Sequence, residues 1–154
     1  MKTHEADTAY QSGKIVVLTT RWNSFITDNL LAGATAALTR NGVPEDQIEV
    51  IRVPGAFELP IAAQRALATG EYEGLIALGC VIRGGTPHFE YVSGGCMEGL
   101  MAVQLDFSIP VGFGVLTVDT TEQAIERSGE DANNKGAEAA LTVLEMLNLL
   151  GEIS

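Results

Sequence analysis

Short apolar runs and longer apolar stripes alternate along the chain. Residues 14–19 (KIVVLT), 75–81 and 110–116 are uninterrupted or nearly uninterrupted apolar stretches, and 48–53 (IEVIRV) is an Ile/Val-rich run broken by two charges. Runs of this length predict strands covered on both faces. Between them the apolar positions recur at helical spacing. Residues 26–40 form one such stripe, closed by Asn41-Gly42 as a C-terminal cap signal. Pro54-Gly55 ends the second strand, and residues 58–69 read as a helix that tolerates Pro60 in its first turn and stops at Gly70. Residues 89–106 predict a third helix. Thr120 and Gln123 have capping-box spacing and open a short helix reaching Ser128, and residues 135–150 close the chain as an amphipathic helix.

Strands separated by helices require right-handed crossovers, hence a parallel sheet with helices on both faces. The expected fold is α/β: a single-domain three-layer αβα sandwich on a four-stranded parallel sheet, in the flavodoxin-like order 2-1-3-4. Residues 1–13 are expected to be a flexible N-terminal segment and residues 14–154 the domain. Four strands make a small sheet, with room for an extra strand from a neighbour. Open parallel sheets bind ligands beyond the carboxyl ends of their strands. The unusual residues of this chain fall there: Trp22-Asn23 after the first strand, Ala56-Phe57-Glu58 after the second, a glycine–histidine loop after the third, and the segment from Thr117 after the fourth.

Composition narrows the classes of function. With 154 residues, 46% hydrophobic and 19% charged, the chain suits one globular domain with a real core. A net charge of −11 and a pI near 4.4 disfavour nucleic acid and anionic membranes as partners. An anionic small molecule stays within reach if some of the nine Lys and Arg converge. No apolar run approaches the roughly 20 residues of a membrane span. Residues 1–12 are polar and mixed in charge, unlike a signal or targeting peptide, which argues for a cytoplasmic protein. Cys80 and Cys96 are not in a C-x-x-C pair, so no metal site is expected, and both read as packing thiols.

Candidate chemistry concentrates in Gly79–Phe89 (GCVIRGGTPHF). Gly84, Gly85 and Thr86 precede a helix, and their N–H groups suit a phosphate; the plain alternative is a strand-to-helix turn. No G-K-S/T follows, so this is not a P-loop. His88 is one of two histidines; the other, His4, lies in the polar N-terminal tail. An imidazole moves protons near neutral pH, although a histidine can also serve only to bond a carbonyl. Trp22, the sole tryptophan, would stack on a planar heterocycle or fill the core. Glu58 would accept hydrogen bonds from a ring or cap its own helix. Arg127 would grip a phosphate or sit on the surface beside Glu126. Lys135 and Glu138, three apart on one helix, would form a weak surface ion pair.

Taken in order, Arg21–Ile26 (RWNSFI), Pro54–Pro60 (PGAFELP), Gly79–Tyr91, Gly112–Thr117 (GFGVLT), Glu122–Arg127 (EQAIER) and Asn134–Glu138 (NKGAE) resemble the signatures of the 6,7-dimethyl-8-ribityllumazine synthase family. The resemblance covers residues 14–150. It implies a cytoplasmic, cofactor-free and metal-free transferase at the penultimate step of riboflavin synthesis. The reaction condenses 5-amino-6-(D-ribitylamino)uracil with (S)-3,4-dihydroxy-2-butanone 4-phosphate. It also implies homopentamers, in some members assembled into decamers or sixty-subunit shells, with riboflavin synthase as a partner and active sites between subunits.

Carried over by motif, Trp22, Asn23, Ala56, Phe57, Glu58, Cys80, Val81 and Ile82 would hold the uracil substrate. Gly85 and Thr86 would hold the phosphate, and His88 would transfer protons. Phe113 and Arg127 would come from the neighbouring subunit, Phe113 to the uracil and Arg127 to the phosphate, with Lys135 assisting and Glu138 orienting His88. Two other readings stand beside this one: an archaeal-type riboflavin synthase, and a non-catalytic lumazine-binding or shell-forming assembly. The chain departs from the family at Glu130-Asp131, where many relatives carry Thr-Lys. Two acids replace a cation near Arg127 and near contacts between pentamers, which counts against shell formation.

Overall fold

The computed structural model describes residues 1–130 and 133–153. Four strands, β1 (Lys14–Thr20), β2 (Ile48–Val53), β3 (Tyr72–Ile82) and β4 (Val111–Val118), form one sheet in the order β2-β1-β3-β4. Every neighbouring pair is parallel. The helices are α1 (Ser24–Arg40), α2 (Leu59–Ala68), α3 (His88–Phe107), α4 (Thr121–Glu126) and α5 (Lys135–Ile153). The expected layers and strand order are those observed.

Alternation along the central strands explains the three layers. Ile15, Val17, Ile76 and Leu78 point to a core completed by Leu30 and Leu38 of α1 and Val143 and Leu144 of α5. Val16, Leu18, Leu75 and Ala77 point the other way, to Leu59 and Leu67 of α2 and Leu100 and Val103 of α3. Each fully buried Leu, Ile or Val contributes about 1.5–3 kcal/mol, so the two faces of β1 and β3 anchor both helical layers.

Element boundaries shift where side chains extend or shorten the pattern. β3 begins at Tyr72, three residues earlier than the apolar run suggests; Tyr72 pairs with Lys14 and its hydroxyl donates to Glu49. β4 runs on to Val118 because Thr117 and Val118 pair with Val81 and Ile82. The second helix, expected from residue 58, begins one residue later at Leu59, because 56–58 form a 3-10 turn. The capping box is made in both directions: Gln123 N donates to Thr120 Oγ1 at 3.1 Å, and Thr120 N to Gln123 Oε1 at 3.3 Å. α4 ends at Glu126, and Ser128 Oγ returns to Ala124 O at 2.8 Å.

Residues 1–13 contain no helix or strand. They lie along α5 and the end of α1, with Asn148 Nδ2 donating to Asp7 O and Ala9 O and Tyr10 N donating to Asn41 O. Among the described residues no helix is long and apolar enough to cross a membrane. Glu130 is exposed; Asp131, its partner in the acidic departure, lies outside the described residues.

Asn134 locks α5 onto α1. Its side-chain amide donates to Gly129 O at 2.8 Å and Asn29 O at 3.1 Å, and its oxygen accepts from Ala137 N at 3.0 Å. The helices approach so closely that a Cβ at Gly136 would lie 2.1 Å from Leu30 O. Gly136→Ala should therefore destabilise the chain by about 1–3 kcal/mol, read as a lower denaturant midpoint. A Cβ at Gly151 would meet nothing within 4 Å, so Gly151→Ala should leave that midpoint unchanged or raise it.

Candidate active site

The carboxyl ends of β1, β2 and β3 open into a cleft of about 490 Å³. Trp22 and Asn23 enter from the β1–α1 connection, Ala56, Phe57 and Glu58 from the turn after β2, and Cys80, Val81 and Ile82 from the end of β3. His88, Tyr91 and Val92 enter from the first turns of α3. Nine residues singled out on sequence grounds for the uracil substrate and proton transfer thus share one cavity. The walls are mostly apolar, with Asn23, Glu58 and His88 as polar members.

Backbone bonding fixes this geometry. Arg21 N and Trp22 N donate to Val53 O and Pro54 O, carrying the β1–β2 pairing past the end of both strands. Asn23 then turns the chain in the left-handed region, φ 62°, a conformation asparagine tolerates. Its amide donates to Cys80 O at 2.9 Å, tying the β1 loop to the end of β3. Glu58 accepts from Gly55 N at 3.0 Å. Glu58 thus closes the 3-10 turn at 56–58 and makes no side-chain cap bond to α2, the helix it was expected to cap. Trp22 is not core filling; it is 63% exposed.

Gly84 to Thr86 form an exposed turn ahead of α3, where His88 N donates to Thr86 Oγ1 over a long 3.5 Å. A Cβ at Gly84 or Gly85 would meet nothing within 4 Å, and neither has a positive φ. Nothing in the chain's own packing demands glycine there. Arg83, which sequence reasoning passed over, fastens this turn. Its Nε donates to Asp119 at 2.8 Å, its Nη1 to Glu90, and its guanidinium lies 4.3 Å from the centroid of Phe89. The bond from Asp119, then that from Glu90, holds Arg83 above its ordinary value, and the Arg83 bond holds Glu90 below the usual carboxylate range. The Glu90 arm of the clasp is therefore present at neutral pH and is lost as pH falls through the lowered Glu90 value. The available signal was a cation and an acid bracketing a glycine turn.

Phe113, Arg127 and Lys135 do not reach this cleft. They line a separate depression of about 210 Å³ on the outer side of β4. Arg127 Nη1 donates to Gln123 O at 3.0 Å and lies 3.7 Å from Glu126. Lys135 N donates to Arg127 O, and Lys135 Nζ pairs with Glu138 at 3.0 Å. Glu138 is on α5 and His88 on α3, helices that cover opposite faces of the sheet. One chain therefore presents two surfaces, one with the imidazole and one with the cations.

A family model described as 6,7-dimethyl-8-ribityllumazine synthase matches residues 12–151. The chain belongs to that family. Its members are transferases of riboflavin biosynthesis. The match spans both surfaces, from Trp22 to Glu138, and includes Gly55, Arg83 and Asn134, none of which the motif reading had given a role.

The two thiols are placed by the fold, not by chemistry. Burial pushes Cys80 up to about 11 and Cys96 up to about 12, so both stay protonated at neutral pH. Iodoacetamide at pH 8 should leave the folded chain unmodified and label both cysteines in denaturant. Prompt labelling of the native protein would mean that the end of β3 opens.

Proposed function

We propose that this chain condenses 5-amino-6-(D-ribitylamino)uracil with (S)-3,4-dihydroxy-2-butanone 4-phosphate to 6,7-dimethyl-8-ribityllumazine, inorganic phosphate and water, in the cytoplasm and without cofactor or metal. The observation that carries the reading is the division of the family's site residues between two separate surfaces of one chain. A homopentamer would place the Phe113–Arg127–Lys135 surface of one copy against the His88 cleft of the next, and cyclic symmetry would repeat that pairing. Exposed apolar side chains support such a ring. Met97, Met101 and Leu105 recur every four residues on α3, away from its buried Cys96, Leu100 and Val103.

In this reading Trp22 stacks on the pyrimidine, and Asn23, Ala56, Phe57, Glu58 and the 80–82 strand end bind its edge and ribityl chain, with the neighbour's Phe113 closing over it. Gly85 and Thr86 hold the phosphate from one side, and the neighbour's Arg127 and Lys135 from the other. The uracil's exocyclic amine attacks the ketone, and dehydration gives an imine. Phosphate leaves, and the enol formed rearranges and closes on the ribitylamino nitrogen; loss of a second water completes the ring. His88 transfers the protons, with Glu138 reaching it only across the interface. Positioning of two reactants contributes much of such a rate. Riboflavin synthase, which would consume the product, is the partner this assignment carries, and growth beyond a pentamer to a decamer or shell is opposed by the acids at 130 and 131.

His88→Ala should lower kcat by about one to three orders of magnitude without abolishing turnover; an unchanged rate removes His88 from the mechanism. Arg127→Ala should chiefly raise KM for the butanone phosphate. Mixing the two substrates and following lumazine absorbance and phosphate release tests the reaction itself. Conversion of lumazine to riboflavin would instead make the chain a riboflavin synthase, and binding without turnover would make it a non-catalytic assembly. Light scattering should give at least five 16.3 kDa chains, about 82 kDa.

A further inference from the structure

We infer that Gly55 is the positioning residue for Trp22, its missing side chain leaving the seat that the Cε3–Cζ3 edge of the indole occupies. A Cβ at Gly55 would fall 2.2 Å from Trp22 Cε3 and 2.5 Å from Cζ3, both in the six-membered part of the ring. No real contact is that short, so an alanine at 55 and the observed indole position exclude each other. The backbone does not call for glycine: φ is −147° and ψ −176°, extended geometry open to any residue. Space alone demands it.

Neither partner can retreat by moving its main chain. Gly55 is buried, and its N–H is held by the Glu58 carboxylate at 3.0 Å. Trp22 N donates to Pro54 O at 3.1 Å, and the next residue, Asn23, is tied to Cys80 O. Relief must come from swinging the indole off its seat. With the Cε3–Cζ3 edge of the ring set against Gly55 and Trp22 lining the cleft, Gly55 determines where the indole stands and hence where a planar ligand can stack on it. The Gly55 role in turnover rests on the reading of this cleft as the uracil site.

Trp22 is the sole tryptophan, so its fluorescence reports the seat directly. Gly55→Ala should shift the emission to the red and increase acrylamide quenching in the ligand-free protein. With the two proposed substrates it should raise KM for the ribitylaminouracil by about tenfold while KM for the butanone phosphate moves by less than about twofold. Trp22→Ala should weaken the uracil substrate to the same extent, and adding Gly55→Ala to it should change nothing more. Unaltered emission in Gly55→Ala, or penalties that add in the double variant, would overturn the assignment. If Gly55→Ala does not fold by circular dichroism, the Trp22→Ala/Gly55→Ala chain should, and its failure to fold would equally overturn it. Absence of turnover in the unmodified protein would sink the proposed reaction while leaving the emission test to decide the seat.

Discussion

Everything in this molecule hangs on the double-sided burial of β1 and β3. Their side chains alternate between two cores, and each core needs its own pair of helices. Parallel strands must then release the chain at one end of the sheet each time it crosses over. The loops bearing Trp22, Phe57 and the His88 turn are brought together at that end because the apolar strands leave no other exit.

Chemistry is divided along the same lines. Around the strand ends of the central sheet, Trp22, Asn23, Glu58 and His88 share one cleft. Beyond the edge strand β4 lie Arg127 and Lys135, each already paired to backbone or to an acid of its own chain. An acidic protein thus concentrates two of its few cations on one exposed edge. An oligomer that sets this edge against the next copy's cleft reconciles a net charge of −11 with a phosphorylated substrate. The Arg83 clasp holds the intervening turn from both sides, to Glu90 on α3 and to Asp119 after β4.

Most of the fold was legible because burial in a parallel sheet writes itself as continuous apolar runs. The parallel sheet with helices on both faces followed from the alternation of strands and helices, and the capping box at Thr120 from spacing alone. Ends were harder. Tyr72 and Val118 extend their strands through cross-strand partners far away in sequence, and the 3-10 turn at 56–58 depends on Glu58 reaching back to Gly55. The cleft side chains were legible as residues standing at strand ends. What was not legible was contact between distant residues: the ring of Trp22 against Gly55, the amide of Asn23 on Cys80, and the bond from Asn134 to Asn29 O that ties the start of α5 to α1. Residue type left Arg127 open between a phosphate and the surface beside Glu126, the family's motifs chose the phosphate, and in its own chain Arg127 bonds Gln123 O and lines a depression separate from the His88 cleft.

The account's central claim is that one working site needs the cleft of one chain and the cationic edge of another. Co-assembly of His88→Ala chains with Arg127→Ala chains tests it most directly. Each variant alone lacks one half at every site. In randomly mixed rings of equal proportions, about a quarter of the interfaces would combine an intact His88 with an intact Arg127, and at a butanone phosphate concentration that saturates the unmodified enzyme but lies far below the Arg127→Ala KM, activity should recover to about that share of the unmodified enzyme. Activity of the mixture no higher than the average of the two separate variants, despite demonstrated mixed assembly, would contradict a site shared between subunits.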